Sequence, residues 1–275
     1  MVTKLFFMNK IGSNLHHIAQ YYDSHAIAED RRLTIDSLEY IMTYSTISHL
    51  LSSKSTILDM GGGTGVFSIP LAAAGHTVTL VDVSSVELTL AQQKSQEQGV
   101  TIKTCKEDAI SYTDNCSYDG VLCLGPLYHC SSENEIIHVI KTMLSHLSTD
   151  GYLFCSFVSI YAKFNRLINE MNICPESFNL KEFNDFWTKR VLTKSVFSFE
   201  EHHSIPISLV NPLFLRSFLN ANGFQVADLF ALDIVKKFPK DQFSDDYYRF
   251  FHHLGESDLF TQGEHIMVVL KKNRL

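Results

Sequence analysis

The feature that most limits what this chain can fold into is the run Asp59-Met60-Gly61-Gly62-Gly63-Thr64-Gly65. It follows a short β-branched and apolar stretch, Ser55 to Met60, and leads into helix-prone sequence. Glycines at the exit of a strand let the backbone turn sharply and bring bare amides at a helix N-terminus against a ligand, where the helix dipole is also positive. Four glycines in five positions exceed what a turn needs, so the run points to a nucleotide-like ligand. Spacing narrows the choice. A dinucleotide fingerprint G-x-G-x-x-G begun at Gly61 would need glycine where Val66 stands, and no Lys-Ser/Thr pair follows to make a P-loop.

Around this run, strand and helix patterns alternate. Strands are predicted at 55–60, 77–81, 100–104, 118–124 and 152–158, and helices at 66–74, 86–98 and 133–147. That spacing predicts an α/β fold, a doubly wound and mostly parallel sheet with helices on both faces. Pro70 lies inside the first of these helices and removes the amide that would bond back to Val66, so a local kink is expected there. Residues 13–53 carry apolar positions at helical spacing ahead of the first strand.

Beyond Val158 the alternation stops. Residues 160–204 hold Phe164, Phe178, Phe183, Phe186, Trp187, Phe197 and Phe199, more aromatic density than a plain crossover needs, and read as a cap insertion. A helix at 211–222 ended by Gly223 and a strand at 224–230 are expected next, then a second aromatic and charged insertion at 237–262 and a last strand at 265–270. Without repeats or linkers, residues 1–275 read as one domain: an N-terminal helical lid (1–53), a ligand-binding core (55–158) and two cap insertions (160–204 and 237–262).

Composition bounds the partners. A chain of 275 residues that is 45% apolar and 19% charged can bury a core without disulfide staples. Lys+Arg 23 against Asp+Glu 30 leaves a formal charge of −7, which argues against nucleic acid as a partner, since phosphate backbones are held by clustered Lys and Arg. The cysteines Cys105, Cys116, Cys123, Cys130, Cys155 and Cys174 form no CxxC and sit mostly in apolar runs, as reduced cysteines of a cytoplasmic protein do. The apolar block Leu5 to Met8 is too short for a secretory signal. The uncharged stretch Met60 to Val81 carries too many glycines, Pro70 and His76 to be a lipid-facing helix, so no membrane span is expected. The doublets His16-His17, His202-His203 and His252-His253 point their rings apart on a helix or strand, and HExxH is absent, so no metal is expected either.

In its form D-x-G-x-G-x-G the glycine run resembles the first motif of the class I S-adenosylmethionine-dependent methyltransferases. The resemblance continues through Leu80-Val81-Asp82-Val83-Ser84, Glu107-Asp108-Ala109 and Tyr118 to His129. Asn14 to Leu33 and His265 to Lys271 are similar to one bacterial small-molecule branch of that family. It implies a Rossmann-like sheet of seven strands with the last antiparallel, S-adenosylmethionine as cofactor, S-adenosylhomocysteine as product and a small-molecule acceptor. It implies that Asp82 accepts the ribose hydroxyls, that Asp108 accepts the adenine amino group with the Ala109 amide facing the ring, and that Gly61, Gly63, Val83 and Leu124 lie beside the cofactor. Asp59 would hold the loop amides or meet the cofactor ammonium through a water. Tyr21 and Tyr22, in the helical region that folds over the cofactor in this family, would offer a ring face to the sulfonium. Arg31 and Arg32 could pair with a carboxylate of substrate or cofactor, or lie on a solvated helix face.

Gly125-Pro126-Leu127-Tyr128-His129 leaves the fourth strand at the end where open α/β sheets place reacting groups. It lacks the Asp or Asn that amino-directed DNA methyltransferases carry ahead of Pro-Pro-Tyr/Phe, which disfavours nucleobase amines. His129 is the candidate base that would take the acceptor's proton, with Tyr128 orienting it. Two other readings stand beside methyl transfer: a non-catalytic S-adenosylmethionine-binding sensor or partner subunit, and an NAD(P)-dependent oxidoreductase.

Overall fold

The run Thr56–Met60, all but its first residue buried, has no polar face and must lie inside a sheet. A computed structural model, describing residues 2–32, 37–173, 181, 185, 188, 196–202, 205–233, 244–256 and 263–272, places it there as β1, with the side chains of α1 described from Leu15 onward. The elements before it are α1 (Val2–Arg32) and α2 (Leu38–Leu50). After it come α3 (Ser68–Ala73), β2 (Thr77–Asp82), α4 (Ser85–Glu97), β3 (Lys103–Lys106), β4 (Tyr118–Cys123), a 3-10 turn (Pro126–His129), α5 (Glu133–Ser145) and β5 (Leu147–Ser159). The chain continues through α6 (Ile160–Ile173), β6 (Phe197–His202), β7 (Ile205–Val210), α7 (Pro212–Ala221), β8 (Gln225–Ala231), α8 (Asp245–Glu256) and β9 (His265–Lys271).

β3, β2, β1, β4 and β5 pair in that order, all parallel. β9 runs antiparallel between β5 and β8. This is the doubly wound sheet expected, but among the described residues it has nine strands and not seven. Of the two additional strands, β6 comes from the end of the segment read as an aromatic cap (160–204) and β7 from the residues just after it. β6 and β7 form an antiparallel hairpin, and β7 joins the end of β5 in parallel at Val158 and Ser159. The hairpin places Phe197, Phe199, Ile205, Ile207 and Leu209 at alternate positions, a strand period hidden from a reading that counted only aromatics. Phe178, Phe183, Phe186, Trp187, His203 and Cys174 lie outside the described residues, as does much of 237–262, of which α8 is described.

Side chains alternate between two cores, one on each sheet face. Leu58, Val121, Cys123, Leu153 and Cys155 pack against Ile136, Ile140 and Met143 of α5 and Leu215 and Leu219 of α7. Ile57, Leu122 and Phe154 pack against Leu38, Met42 and Ile47 of α2, with Leu71 of α3 and Phe251 of α8. The described cysteines are free, and Cys123, Cys130 and Cys155 are buried.

The helix around Pro70 begins later than expected, which removes the reason for a kink. α3 starts at Ser68, so Pro70 falls in its first turn, where amides have no helical partner. The strand expected at 100–104 is displaced to Lys103–Lys106, where its residues pair with Thr79 to Asp82 of β2. The helix expected at 211–222 forms as α7, capped by the Asn211 side chain and followed by Gly223 at φ 81°. No described helix is long and apolar enough to cross a membrane.

Candidate active site

The carboxyl ends of β1, β2 and β4 open into one pocket with an empty volume of about 1180 Å³, its open mouth included. Its first wall is built from contiguous sequence. At Gly61 the backbone takes φ +70°, and a Cβ there would lie 2.7 Å from the Pro126 ring; Gly63 takes φ +54°. Side chains would be strained at both positions; one at Gly61 would collide with Pro126 and one at Gly63 would press on the Glu87 carboxyl at 3.3 Å. The amides of Gly61 and Gly62 are held by the Val81 carbonyl, at 2.7 and 3.4 Å.

Asp82 ends β2 with its carboxylate buried. One oxygen accepts from the Gly63 amide at 2.9 Å and the other from the Ser84 amide at 2.8 Å, so it braces the glycine turn from below. The Val83 amide also bonds to this carboxylate, and the acceptor capacity that remains faces the pocket. Asp59 does not hold the loop amides: it accepts from the Ser68 hydroxyl at 2.7 Å, and the amides it was expected to bind go to Val81 and Asp82. Burial pushes the Asp59 carboxyl up to about 6 and raises Asp82 as well. Asp108 accepts from the amides of Ile110 and Ser111 through one oxygen and from the Ser111 hydroxyl through the other, so its role in the turn is settled locally while it also lines the pocket with Ala109. Val83 and Leu124 line the same cavity.

The second wall is assembled from distant segments. His129, in the 3-10 turn after β4, lies with Nδ1 3.0 Å from the Pro206 carbonyl of β7 and Nε2 2.7 Å from the Tyr22 hydroxyl of α1. A carbonyl can only accept, so Nδ1 carries the proton; Nε2 then presents a lone pair and the Tyr22 O–H donates to it. Burial holds the His129 imidazole below its usual pKa, keeping it neutral at pH 7. The Ser208 hydroxyl donates to the Leu127 carbonyl at 3.0 Å, fixing the hairpin to the same turn. Tyr128 lines the pocket with its ring edge-on to His129, centroids 4.7 Å apart.

Helix α1 closes the cavity between the walls. Asp23 accepts from the Ser84 hydroxyl at 2.7 Å and the Val86 amide at 3.2 Å, at the N-terminus of α4. Asp30 accepts from the Thr64 hydroxyl of the glycine run and is paired with Lys94 of α4. The side chains of Leu15, Ile18, Tyr22 and Glu29 face the pocket. Tyr21, expected with Tyr22 beside the cofactor, stacks instead on His25 at 4.2 Å and is absent from the lining, because consecutive helix residues diverge by about 100°. Arg31 is exposed and away from the lining; the Arg32 side chain lies outside the described residues.

Sequence reasoning missed Asp23, Asp30, Glu29, Glu87 and the hairpin carbonyl of Pro206. For Asp23 and Asp30 the available signal was their seven-residue spacing, which puts both on one face of a helix. Six carboxylates line the cavity, those of Glu29, Asp59, Asp82, Glu87, Glu107 and Asp108, and among the described lining residues there is no lysine or arginine. As for metal ligands, the one cluster among the described residues is Glu39, Asp233 and His265, distant in sequence from all three histidine doublets. Its His265 Nδ1 is 2.9 Å from Asp233, whose other oxygen accepts the amides of Glu264 and His265.

Comparison with known proteins matches residues 57–151 to the family described as a methyltransferase domain. The ubiquinone biosynthesis O-methyltransferase of Rickettsia canadensis (strain McKiel) is 30% identical over 122 residues, 44% of this chain and 50% of that protein. Its counterpart in Paraburkholderia phytofirmans is 24% identical over 184 residues, 66% of this chain and 69% of that one. The chain thus spans about half the length of the first curated relatives it matches. Among solved structures, the 1,6-didemethyltoxoflavin-N1-methyltransferase of Burkholderia thailandensis, with S-adenosylhomocysteine bound, superposes with a TM-score of 0.59 at 14% identity, covering 94% of this chain and 88% of that one. The magnesium protoporphyrin IX methyltransferase of Synechocystis PCC 6803 gives 0.56 at 19% identity, covering 94% and 99%. At such identities the likeness is one of fold. Residues 57–151 match a methyltransferase domain, and the chain as a whole has the class I S-adenosylmethionine-dependent methyltransferase fold.

Proposed function

We propose that the protein transfers a methyl group from S-adenosylmethionine to an O, N or S atom of a small molecule with an apolar or aromatic portion. The observation that carries this reading is the single cavity with a glycine turn and ribose-type carboxylate on one side and a neutral, oriented imidazole on the other. The residues fit the cofactor: Gly61 and Gly63 hold the left-handed turn that lines the cavity, and six acidic side chains with no basic one suit a sulfonium. The same lining counts against a dinucleotide, whose pyrophosphate would face those carboxylates.

When bound, the cofactor supplies a methyl group already activated on sulfur, so displacement needs alignment more than bond activation. Asp82 would hold the ribose, with Ala109 and Asp108 beside the adenine, Gly61 and Gly63 against the amino-acid tail, and Val83 and Leu124 closing the sides. An acceptor hydroxyl, thiol or ammonium has to shed a proton. His129 takes it at Nε2 by way of the Tyr22 oxygen: the acceptor's proton passes to that oxygen as the tyrosine's own proton passes to the imidazole. Tyr128 orients the acceptor from the adjoining wall. Leu15, Ile18 and Leu124 supply the apolar contact for the acceptor body.

The relatives' names, a ubiquinone biosynthesis O-methyltransferase and a toxoflavin-precursor N1-methyltransferase, are in keeping with small-molecule acceptors at oxygen or nitrogen. Free cysteines are in keeping with a reducing, cytoplasmic setting. A silent cofactor-binding sensor would have no use for an imidazole held in one tautomer by two partners, which favours an enzyme. Incubation with methyl-labelled S-adenosylmethionine and a metabolite extract tests this: label in a small molecule supports it, and label confined to nucleic acid, or no transfer at all, overturns it.

A further inference from the structure

Two helices in this fold begin with Ser-x-x-Glu, and the two glutamates behave differently. At α5, Ser132 caps the Glu135 amide, and the Glu135 carboxylate turns back to accept the amide of Ser131, the residue before the cap, at 2.6 Å, so that glutamate is held at its own helix start. At α4, Ser84 caps the Glu87 amide at 3.1 Å, but the backbone amide that Glu87 would take in return donates to Asp82 at 2.8 Å. The Glu87 carboxyl is thereby released from capping. It is 4% exposed, lines the cavity, lies 3.3 Å from where a Cβ on Gly63 would be, and accepts no hydrogen bond among the described residues.

The charges that face it are Asp82 from β2 and Asp23, Glu29 and Asp30 from α1; on its own helix, Lys94 is engaged with Asp30. Burial and these four carboxylates push the Glu87 carboxyl up to about 8, so near neutral pH the empty pocket keeps it protonated. An acid whose side chain lines the cavity and takes no hydrogen bond from the described residues, amid other carboxylates, is a receptor for positive charge.

We propose that Glu87 is a proton-releasing cation receptor of the cofactor cradle: it ionises when a cationic ligand enters, its proton leaving to solvent, and so favours the methyl donor over the spent product. The inference rests on the cofactor assigned above. The chemistry of the two ligands supplies the contrast. S-adenosylmethionine carries sulfonium, ammonium and carboxylate and is a net cation, whereas S-adenosylhomocysteine has lost the sulfonium charge and is a net neutral zwitterion. A carboxylate that forms only against the cation would help product leave once the methyl has moved.

Calorimetric titrations with each ligand at pH 6.5, in two buffers of different ionisation enthalpy, count the protons released; at that pH the ligands' own amine is protonated. Wild-type protein is expected to release more protons with S-adenosylmethionine than with S-adenosylhomocysteine. Glu87→Gln removes the excess and lowers the preference for donor over product by roughly 10-fold, the effect of one unit charge a few Å away in a partly solvated site. Subtracting the variant separates Glu87 from Asp59 and Asp82, which also titrate high. Retained binding of S-adenosylhomocysteine by the variant shows that it is folded. Donor binding by wild type without proton release, or with the same release in Glu87→Gln, overturns the proposal while leaving the cofactor assignment intact. A wild type that binds neither ligand overturns both.

Discussion

The two walls of the pocket are made in opposite ways. The first, from Asp59 to Gly65 and on to Asp82, is a strand, a turn and the next strand, and its bonds run between neighbours in sequence or adjacent strands. The second joins residues 107 and 77 positions apart, Tyr22 to His129 and His129 to Pro206. Binding groups that need only backbone geometry can be carried by one βα unit. A proton acceptor needs its tautomer fixed from one side and its lone pair connected to the pocket on the other, here through the Tyr22 hydroxyl, and that takes partners from separate segments. The difference implies a division of labour in which the first wall sets cofactor affinity and the second sets turnover.

The comparison would break most visibly at His129. His129→Ala is expected to lower kcat by roughly 10²- to 10⁴-fold, the usual worth of a positioned general base, while the dissociation constant for S-adenosylmethionine changes little. Single-turnover kinetics beside equilibrium titration would read both. An equal loss of affinity would mean that the second wall binds the cofactor as well. On the first wall, Asp82→Ala is expected to weaken cofactor binding by about 10- to 150-fold, because a charge-assisted hydrogen bond is worth roughly 1.5 to 3 kcal/mol.

A smaller effect belongs to the helix between the walls. Asp30→Asn removes the carboxylate that ties α1 to Thr64 and Lys94, groups that are still partly exposed. A pair in that setting contributes roughly 0 to 1 kcal/mol, so cofactor affinity should fall by at most about 5-fold, measured by the same titration. The mildest expectation concerns pH. Since His129 is held below its usual 6.5, kcat at saturating S-adenosylmethionine, where Glu87 is already ionised, should stay level as pH falls to that value and decline only below it, where the imidazole takes up a proton. A pH profile whose acid limb lies above 6.5 would show that another group is the base.

The same contrast explains what the sequence could reveal. The strand and helix alternation from Thr56 to Ser159 was legible because each element buries apolar residues at its own period, and the glycine run because its chemistry is contiguous. Asp82 and Gly63 were legible as separate positions; that the first braces the amide of the second depends on the register of β1 against β2. Pro206 carried no signal. Its contribution is a backbone carbonyl, which every residue has, and its place beside His129 follows from a hairpin joining the end of β5. Tyr21 and Tyr22 looked equivalent side by side, and only the direction of α1 across the pocket separates them. Glu87 carried no signal of its own, because its place in the pocket depends on the Ser84 amide being claimed by a carboxylate two residues earlier.

The division between walls is tested most directly by titrating wild type, Asp82→Ala and Tyr22→Phe with S-adenosylmethionine and following methyl transfer in the same preparations. Tyr22→Phe keeps the ring and removes only the hydroxyl bonded to His129. The expected result is saturable binding by wild type, weakened by Asp82→Ala and nearly unchanged by Tyr22→Phe, with turnover lost in Tyr22→Phe at saturating cofactor. Wild-type protein that does not bind the donor, or a Tyr22→Phe protein that turns over normally, would contradict it.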